Sequence, residues 1–144
     1  MLTEKITIRL ATGQDAEILW EMNEEFNGKG CNTVSSVKKS LEENGNEIIC
    51  LAEWEGRGAG FCCARIMRSV CYADAYAEIT ELYVRKEHRR KGIGKGLIAF
   101  AEGLCRKRDG VEEFKLLTGA DNLSAQALYK SMGYKKEDEV VFAK

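Results

Sequence analysis

Proline is absent from the 144 residues of this sequence, and histidine occurs only once, at position 88. Low-complexity runs, internal repeats and stretches with the composition of a flexible linker are also missing. Without a linker there is no clear point at which the chain would divide into separately folding units. Its length is that of one domain, so we expect a single domain spanning residues 1–144.

Signals for a metal site, a membrane span or export are missing as well. None of the six cysteines forms a C-x-x-C pair, and only His88 could add an imidazole ligand, which argues against zinc and predicts no metal. The longest apolar runs, such as residues 48–52, are far shorter than the roughly 20 residues that cross a bilayer. Residues 1–5 contain no apolar signal region. We expect a cytoplasmic protein with reduced thiols and no membrane partner. Four of the thiols lie in apolar patterns, at Cys50, Cys62, Cys63 and Cys105.

The charge of the chain is nearly balanced overall but uneven along its length. The 22 basic and 23 acidic residues give a net charge of −1. Residues 85–95 hold six of the basic side chains and one acid, Glu87, so the rest of the chain has 16 basic and 22 acidic residues, a net charge of −6. A compact basic segment on an acidic body predicts a small anionic ligand at one place and allows a cationic second partner. A nucleic-acid-binding protein is more often basic throughout.

Hydrophobic periodicity predicts strands and helices in the order βααβββαβαβ. Alternating apolar residues begin the chain, apolar residues at helical spacing follow, and two apolar runs flank a turn at residues 55–58. A crossover unit ends the pattern, so we expect an α/β fold of the mixed α+β type, with a mixed, mostly antiparallel sheet and helices on both faces. The predicted strands lie at 6–10, 47–54, 59–68, 76–84, 114–118 and 140–143, and the predicted helices lie around 19–26 and 34–41 and over 92–108 and 122–132.

The most informative stretch is a basic, glycine-rich segment at residues 89–96, RRKGIGKG, which follows a predicted strand and opens a predicted helix. The first turn of a helix has unpaired backbone N–H groups and a partial positive charge, and both attract phosphate oxygens. Gly92 and Gly94 have no side chain to obstruct a pyrophosphate. The spacing matches neither a Walker A motif nor the G-x-G-x-x-G fingerprint. A solvated, glycine-rich turn with surface charges is the structural alternative.

Two motifs give the sequence a resemblance to a known family. Arg89-x-x-Gly92-x-Gly94 resembles the [QR]-x-x-G-x-[GA] acyl-CoA loop of the GNAT superfamily of N-acetyltransferases. Residues 122–134, NLSAQALYKSMGY, resemble the N-x-x-A-x-x-L-Y-x-x-x-G-[FY] segment of that family. The order of the elements is similar over nearly the whole chain. The resemblance implies an acetyl-CoA-dependent N-acyltransferase fold in which the fourth and fifth strands splay apart, and a homodimer.

The same resemblance implies which residues bind acetyl-CoA. The backbone of residues 90–95 is expected to bind the CoA pyrophosphate, and strand residues Leu82 and Val84 are expected to hydrogen-bond the pantetheine arm as an added strand would. Asn122 is expected to contact the cofactor. The full set of expected acetyl-CoA-binding residues is Leu82, Val84, Arg89, Arg90, Lys91, Gly92, Ile93, Gly94, Lys95 and Asn122.

Acetyl transfer to an amine makes three chemical demands. The amine must be neutral although an alkyl amine has a pKa of about 10, the thioester carbonyl must be polarised, and the leaving thiolate must gain a proton. The resemblance implies that Tyr129 protonates the thiolate. Tyr129 and Asn122 are seven positions apart, about two helical turns, so they face roughly the same way. The alternative for Tyr129 is packing at the edge of the core with Ala125 and Met132.

Two glutamates are candidates for the base. Glu78 lies eleven residues before Arg89, where histone-type members of the family place a catalytic glutamate, and Glu81 precedes Leu82, where many members have an acid. On a regular strand the two side chains point to opposite faces, so at most one is expected in the cleft unless a bulge intervenes. The spacing favours Glu78. Either residue could act through water or hold a cationic amine, and a solvent-facing carboxylate is the alternative for each.

Three functions fit the sequence. An amine N-acetyltransferase that works by direct attack in a ternary complex is favoured by Tyr129 and the two candidate bases, and the acidic remainder suggests a cationic amine. A regulatory module that binds acyl-CoA without catalysis is the alternative. A nucleic-acid binder is disfavoured by the glycines and the acidic remainder. Of the other residues, His88 lies among charges and is expected to be solvated, and Trp20 and Phe26 are expected in the core or in a pocket wall.

Overall fold

The computed structural model describes residues 5–144, and its elements follow the predicted order up to the last helix. Within those residues, no helix combines the length and the apolar composition that crossing a bilayer requires. The strands are β1 (Ile6–Leu10), β2 (Glu47–Trp54), β3 (Arg57–Met67), β4 (Tyr76–Val84) and β5 (Phe114–Leu116). The helices are α1 (Ala16–Asn27), α2 (Val34–Glu43), α3 (Ile93–Asp109) and α4 (Leu123–Ser131), with short 3-10 helices at Gly13–Asp15 and Lys86–His88.

The five strands form one sheet in the order β1-β2-β3-β4-β5. Neighbouring strands are antiparallel as far as β4, and β4 pairs with β5 in parallel. A parallel pair needs a long crossover connection, which α3 supplies here. The predicted mixed, mostly antiparallel sheet is therefore confirmed.

Helices cover both faces of the sheet, because consecutive strand residues point to opposite sides. Cys62 of β3 belongs to a buried cluster that also contains Leu97 of α3. The next residue, Cys63, belongs to a second cluster with Leu19 and Met22 of α1. Helices α3 and α1 therefore lie on opposite faces, as predicted.

The cysteines behave as small apolar side chains. All six thiols are free, and the four that lie in apolar patterns are buried. Burial raises the pKa of Cys50 to about 12, so its thiol stays protonated near neutral pH. The predicted structural role of these four residues agrees with their positions in the core.

An ion-pair network fastens β1 to the segment before α1. Two guanidinium nitrogens of Arg9 each donate a 2.8 Å hydrogen bond to an oxygen of the buried Asp15. The third nitrogen, Nε, donates to Glu53 of β2 at 3.0 Å. The backbone N–H of Thr12 donates to Asp15 at 2.7 Å. One carboxylate thus joins the first strand to the turn that leads into the first helix.

The predicted final strand at residues 140–143 is wrong. The structure has no strand there, and Val140, Val141 and Phe142 are 76%, 68% and 94% exposed. Apolar and β-branched residues favour a strand, but a strand also needs an edge to pair with. This segment lies in no sheet of the described chain. The predicted fifth strand is also shortened, since β5 ends at Leu116 instead of residue 118.

Candidate active site

A gap opens between β4 and β5, in agreement with the predicted splay. The two strands pair at three positions, the last of which joins Ile79 to Leu116. β4 then continues to Val84, while the chain after β5 leaves as an exposed loop. A cavity of about 1010 Å³ lies in this gap and reaches the start of α3 and the side of α4. In the part of the chain that the structure describes, no strand pairs with the β5 side of β4 beyond Ile79.

A β-bulge in β4 changes which side chains share a face. Cys63 of β3 pairs with Glu81, and the next residue of β3 pairs with Ile79. Thr80 therefore has no partner on β3, and its hydroxyl donates a 3.3 Å hydrogen bond to the Cys63 carbonyl. Because the bulge adds one residue to the alternation, Glu78 and Glu81 lie on the same face of the sheet. A regular strand would have placed them on opposite faces.

The two candidate bases have different surroundings. Glu81 lines the cavity, whereas Glu78 does not and lies across from Arg65 of β3 and Lys115 of β5. Burial raises the pKa of Glu81 above its usual 4.5, and the negative charge of Glu47 adds to the shift. A carboxylate with a raised pKa is a stronger proton acceptor. The geometry therefore suits Glu81 to the role, although sequence spacing pointed to Glu78.

The glycine-rich segment forms a turn at the start of α3. Arg90 and Gly92 both have a left-handed backbone, with φ angles of 63° and 80°, and Gly92 is the N-cap of α3. The first backbone hydrogen bond of the helix runs from the Gly96 N–H to the Gly92 carbonyl, at 3.0 Å. Residues 93–95 line the cavity, and their N–H groups have no carbonyl to bond within the helix. These groups are available to an anionic ligand.

Two predicted cofactor residues in this segment have partners within the protein. The Arg89 Nε donates a 3.0 Å hydrogen bond to the Val84 carbonyl, and its guanidinium carbon lies 6.0 Å from the centre of the Tyr83 ring. Lys91 is not part of the cavity wall, and its Nζ lies 4.4 Å from the centre of the Trp54 ring. Arg89 therefore borders the cavity, whereas Lys91 does not.

His88, which was expected to be solvated, is partly buried in the structure. The residue lines the cavity beside Arg89, and its ring centre lies 5.9 Å from that of Trp54. Its Nδ1 is buried and has no hydrogen-bond partner among residues 5–144. The charged neighbours of His88 in the sequence suggested full exposure, whereas in the fold the ring lies near the indole of Trp54, which comes from a distant strand.

Helix α4 brings Asn122 and Tyr129 to the cavity wall. The Asn122 side chain accepts a 3.2 Å hydrogen bond from the Ala125 N–H and so caps the helix. Tyr129 is half-buried, and burial raises the pKa of its phenol above the usual 10. The phenol is therefore protonated at neutral pH and can act as a proton donor.

Sequence reasoning missed the contribution of Glu25 to the site, whereas it expected Phe26 in the core or in a pocket wall. Glu25 and Phe26, at the end of α1, line the cavity, and Phe26 stacks on Tyr83 with ring centres 5.1 Å apart. The Glu25 carboxylate accepts 2.9 Å hydrogen bonds from the Tyr83 hydroxyl and from Arg85. These last two contacts join residues 58 and 60 positions apart. The available signals were the acidic content of residues 21–25 and the expectation that Phe26 lies in the core or in a pocket wall.

Comparison with known families and proteins finds relatives along most of the chain. Residues 16–134 match the acetyltransferase (GNAT) family. An uncharacterized N-acetyltransferase of Chlorobaculum tepidum is 31% identical over 135 residues, which cover 94% of this chain and 79% of the relative. Human N-acetyltransferase 8 is 33% identical over 112 residues, or 78% of this chain. The chain spans about half the length of the human protein, 49%.

Solved structures share the fold at low sequence identity. An aminoglycoside acetyltransferase from an uncultured soil metagenomic sample, in complex with trehalose, has a TM-score of 0.85 at 21% identity and covers 100% of this chain and 97% of its own. The aminoglycoside N-acetyltransferase AAC(6')-Iy in complex with CoA also has a TM-score of 0.85, at 18% identity, over 99% of this chain and 98% of its own. Similarity at this level of identity shows the fold. Because the family match extends over most of its length, the chain belongs to the GNAT family of acetyltransferases.

Proposed function

We propose that the protein transfers an acetyl group from acetyl-CoA to a primary amine of a small molecule or peptide, by direct attack within a ternary complex. The observation that carries the proposal is the cavity of about 1010 Å³, whose wall contains the start of α3, the unpaired stretch of β4, Glu81 and Tyr129. The start of α3 suits the binding of a pyrophosphate, and the unpaired stretch of β4 suits the alignment of the pantetheine arm. Glu81 and Tyr129 suit the transfer of protons from the amine and to the leaving sulfur. The CoA complex of AAC(6')-Iy, which has the same fold, supports acetyl-CoA as the donor.

The residues around the cavity fit the chemistry of acetyl-CoA. The free N–H groups of residues 93–95 offer hydrogen bonds to a pyrophosphate, and the cationic side chains nearby add attraction. Leu82 and Val84 lie in the stretch of β4 that has no strand beside it, so the Leu82 backbone and the Val84 N–H can pair with the amides of pantetheine as they would with a neighbouring strand. The Val84 carbonyl already accepts the hydrogen bond from Arg89. Asn122 borders the same cavity from α4. Lys91, which contacts Trp54, is assigned a long-range electrostatic role only.

Glu81 is the residue proposed to activate the amine. An alkyl amine with a pKa of about 10 is protonated near neutral pH and must lose a proton before it attacks. Glu81 can accept that proton directly or through a water, because it borders the cavity and its pKa is raised by burial. The neutral amine then forms a bond to the thioester carbonyl carbon, and the carbon–sulfur bond breaks as the tetrahedral intermediate collapses.

Tyr129 is the residue proposed to protonate the leaving group. The electron pair of the broken carbon–sulfur bond stays on sulfur as a CoA thiolate, which needs a proton to leave as the thiol. The Tyr129 phenol borders the cavity and keeps its proton at neutral pH because burial raises its pKa. From ammonium to amide the substrate nitrogen loses two protons: Glu81 accepts the first before attack, and the second leaves the nitrogen once it is bonded to the acetyl carbon and can restore the Tyr129 phenol. Sulfur gains one proton from Tyr129, and Glu81 releases the net proton to solvent, so the protein returns to its starting state.

The proposed acceptor is a cationic amine. Glu81 contributes a carboxylate to the cavity wall, and so does Glu25, which shares its charge with Arg85. The chain outside the basic segment has a net charge of −6. Carboxylates near a cleft attract a cationic substrate and help to orient it. A soil-metagenome aminoglycoside acetyltransferase of the same fold was solved in complex with sisomicin, which supports a polycationic small molecule as one acceptor to test.

Four further expectations belong to the proposal. Residues 1–144 act as one domain, the protein is a homodimer, it works in the cytoplasm, and it needs neither a metal nor a nucleic acid or membrane partner. Within residues 5–144, no group of three or more His, Cys, Asp or Glu side chains is arranged as a metal site. Calorimetry with EDTA present tests the metal expectation directly, because binding of acetyl-CoA should survive the chelator.

A thiol-release assay tests the proposed reaction. The protein is mixed with acetyl-CoA and a panel of polyamines, aminoglycosides and lysine peptides, and the appearance of free CoA thiol is followed. Acetyl transfer predicts amine-dependent thiol release and a product heavier by one acetyl group. A module that only binds acyl-CoA predicts heat in calorimetry but no thiol release with any amine. No heat at millimolar acetyl-CoA would contradict both functions.

A further inference from the structure

Two aromatic side chains form part of the cavity wall on the α1 side of the sheet. Phe26 of α1 and Tyr83 of β4 both line the cavity, and their rings stack with centres 5.1 Å apart and 24° between the planes. The buried ring of Phe61 supports them, with its centre 6.2 Å from that of Phe26. Phe26 nevertheless remains 39% exposed. This aromatic wall, Phe26 and Tyr83, therefore offers open ring surface to a ligand.

The aromatic wall lies on the same face of the sheet as Glu81. Glu81 pairs with Cys63 and Tyr83 pairs with Phe61, and both of these β3 residues belong to the buried cluster that packs against α1. Residues two positions apart on a strand share a face and are about 7 Å apart along it. A ring joined to an amine by a short alkyl chain spans a distance of this order. One small molecule can therefore contact the aromatic wall and the proposed base together.

Hydrogen bonds fix the aromatic wall in place. The Tyr83 hydroxyl donates a 2.9 Å hydrogen bond to the Glu25 carboxylate. Arg85 donates to both oxygens of that carboxylate, at 3.2 Å from Nε and 2.9 Å from Nη2. Its Nη1 donates to the Gly58 carbonyl at 3.2 Å, and its side chain is only 17% exposed. The end of α1, which carries Phe26, is thus tied to the end of β4 before any ligand binds.

The same contacts leave one acidic side chain of the cavity wall without a cation. The acids of the wall are Glu25 and Glu81. Glu25 forms an ion pair with Arg85, whereas Glu81 forms none among residues 5–144. One uncompensated carboxylate attracts one ammonium group. The other charged side chains of the wall are basic, namely Arg89, Arg90 and Lys95. A second ammonium group on the acceptor would find no free carboxylate there.

We propose that the acceptor is an arylalkylamine, a primary amine joined to an aromatic ring by a short alkyl chain and carrying no second positive charge. The ammonium group binds at Glu81, and the ring packs on the exposed part of Phe26, because aromatic rings favour edge-to-face or offset contacts. A polyamine or an aminoglycoside would leave this ring surface uncovered. The inference rests on the proposed acetyl transfer and names its acceptor, and the products are the N-acetyl amide and free CoA thiol.

Thiol release by the full chain, with acetyl-CoA and one amine at a time, tests the acceptor class. Phenethylamine has the expected ring, cyclohexylethylamine has the same carbon skeleton without an aromatic ring, and spermidine carries several charges and no ring. We expect kcat/KM for phenethylamine to exceed that for spermidine by roughly 10-fold or more. It should also exceed the value for cyclohexylethylamine, by a smaller factor.

Variants of Phe26 test the aromatic wall. Phe26→Ala should raise the KM for phenethylamine by roughly 10-fold or more, with a smaller fall in kcat, because it removes a contact made before the chemical step. Phe26→Tyr keeps the ring and should restore the KM. Phe26→Leu keeps an apolar side chain on Phe61, so it tests the ring even where the alanine variant fails to fold. Phe142→Ala is the matched control, because Phe142 is 94% exposed and lies outside the cavity wall.

The outcomes separate this inference from the proposed function. Acetylation of spermidine with a kcat/KM equal to or above that of phenethylamine would keep the proposed acetyl transfer and overturn the arylalkylamine. Equal values for phenethylamine and cyclohexylethylamine, or a wild-type KM for phenethylamine in Phe26→Leu, would overturn the role of the aromatic ring. Binding of acetyl-CoA without thiol release for any amine would overturn both the proposed function and the inference.

Discussion

The aromatic rings of Tyr129 and Tyr134 meet edge to face, with ring centres 6.3 Å apart and an angle of 63° between the planes. The Tyr134 N–H also donates a 3.0 Å hydrogen bond to the Tyr129 carbonyl, and the Tyr134 hydroxyl donates a 2.7 Å hydrogen bond to Glu102 of α3. The residue just beyond α4 is thus fixed to α3 and braces the ring of the proposed general acid.

Tyr129→Phe should separate catalysis from packing. The variant keeps the ring that packs on Tyr134 and loses only the hydroxyl. We expect kcat to fall by roughly 10- to 10⁴-fold, because the thiolate loses its proton donor. The affinity for acetyl-CoA and the melting temperature should change little. Steady-state kinetics, calorimetry and thermal denaturation measure the three quantities.

Tyr72→Phe is the matched control for that variant, because Tyr72 is exposed in the loop between β3 and β4. It removes the same atom and should leave kcat unchanged. If Tyr129→Phe turns over as fast as the wild type, Tyr129 has no role as the acid, and a water or product release must be considered in its place.

Tyr134→Phe tests whether the hydrogen bond between Tyr134 and Glu102 keeps Tyr129 in its position. Removing the hydroxyl breaks the hydrogen bond to Glu102, and hydrogen bonds to charged groups contribute about 1.5–3 kcal/mol to the free energy of unfolding. We expect a lower melting temperature and a fall in kcat that is smaller than the fall caused by Tyr129→Phe. Glu102→Gln removes the charge from the other side of the bond and should produce the same pattern. A kcat equal to that of the wild type in both variants would show that the position of Tyr129 does not depend on this bond.

Local features of the site could be predicted from the sequence. The turn at residues 89–96 has glycines at the positions where a helix begins, and helix N-termini bind anions by a mechanism that depends on neighbouring residues only. The position of Asn122 and Tyr129 on one side of α4 likewise follows from helical spacing. Both residues line the cavity in the structure.

Features that depend on distant pairing could not be predicted. The bulge at Thr80 arises from the register between β3 and β4, and no residue type marks it in the sequence. The bulge brings Glu78 to the same face as Glu81, yet only Glu81 reaches the cavity. The contacts of Glu25 with Tyr83 and Arg85, and the pairing of the His88 and Trp54 rings, also join segments that are far apart in the sequence.

Glu81→Gln and Glu78→Gln should differ if Glu81 is the base. Glu81→Gln removes the proton acceptor in the cavity wall and should lower kcat by roughly 10²-fold or more. The wild-type rate should fall at acidic pH as Glu81 becomes protonated, at a pH above the usual 4.5 because burial raises its pKa. The rate of the Glu81→Gln variant should not show this fall at acidic pH. Glu78→Gln is the matched control on the same face, and it should keep both the wild-type kcat and the fall in rate at acidic pH. The opposite result would assign the base to Glu78.

Gly94→Val should obstruct the binding of acetyl-CoA at the glycine-rich turn, residues 89–96. A Cβ at this position would lie 3.4 Å from the Leu128 side chain and 3.9 Å from that of Val84, both of which belong to the cavity wall. The two further methyl groups of valine would extend into the path of the ligand. We expect the dissociation constant for acetyl-CoA, measured by calorimetry, to rise at least 10-fold while the melting temperature is retained.

Gly103→Val is the matched control, because Gly103 lies in the same helix and an added Cβ would meet no atom within 4 Å. It should bind acetyl-CoA as the wild type does. Equal affinity in the Gly94 and Gly103 variants would mean that the pyrophosphate binds elsewhere.

Asp15→Asn should destabilise the fold in a way that depends on pH. The hydrogen bonds from Arg9 hold the pKa of Asp15 below its usual 3.8, and the bond from the Thr12 N–H acts in the same direction against the effect of burial. A depressed pKa in the folded state means that the carboxylate stabilises the protein above about pH 4 and that this contribution is lost as the pH falls through the folded pKa.

We expect Asp15→Asn to lower the free energy of unfolding by about 1–3 kcal/mol at pH 7, toward the lower end because Arg9 is partly exposed and solvent screens its charge. Asp74→Asn, at an exposed position in the loop between β3 and β4, is the control and should cost little. Urea denaturation of the wild type and both variants at pH 7 and near pH 3 measures the differences. The gap between wild type and Asp15→Asn should narrow at the lower pH, because protonation removes the charge that the substitution removes. A gap that is the same at both pH values would mean that Asp15 stabilises the fold by packing and not by its charge.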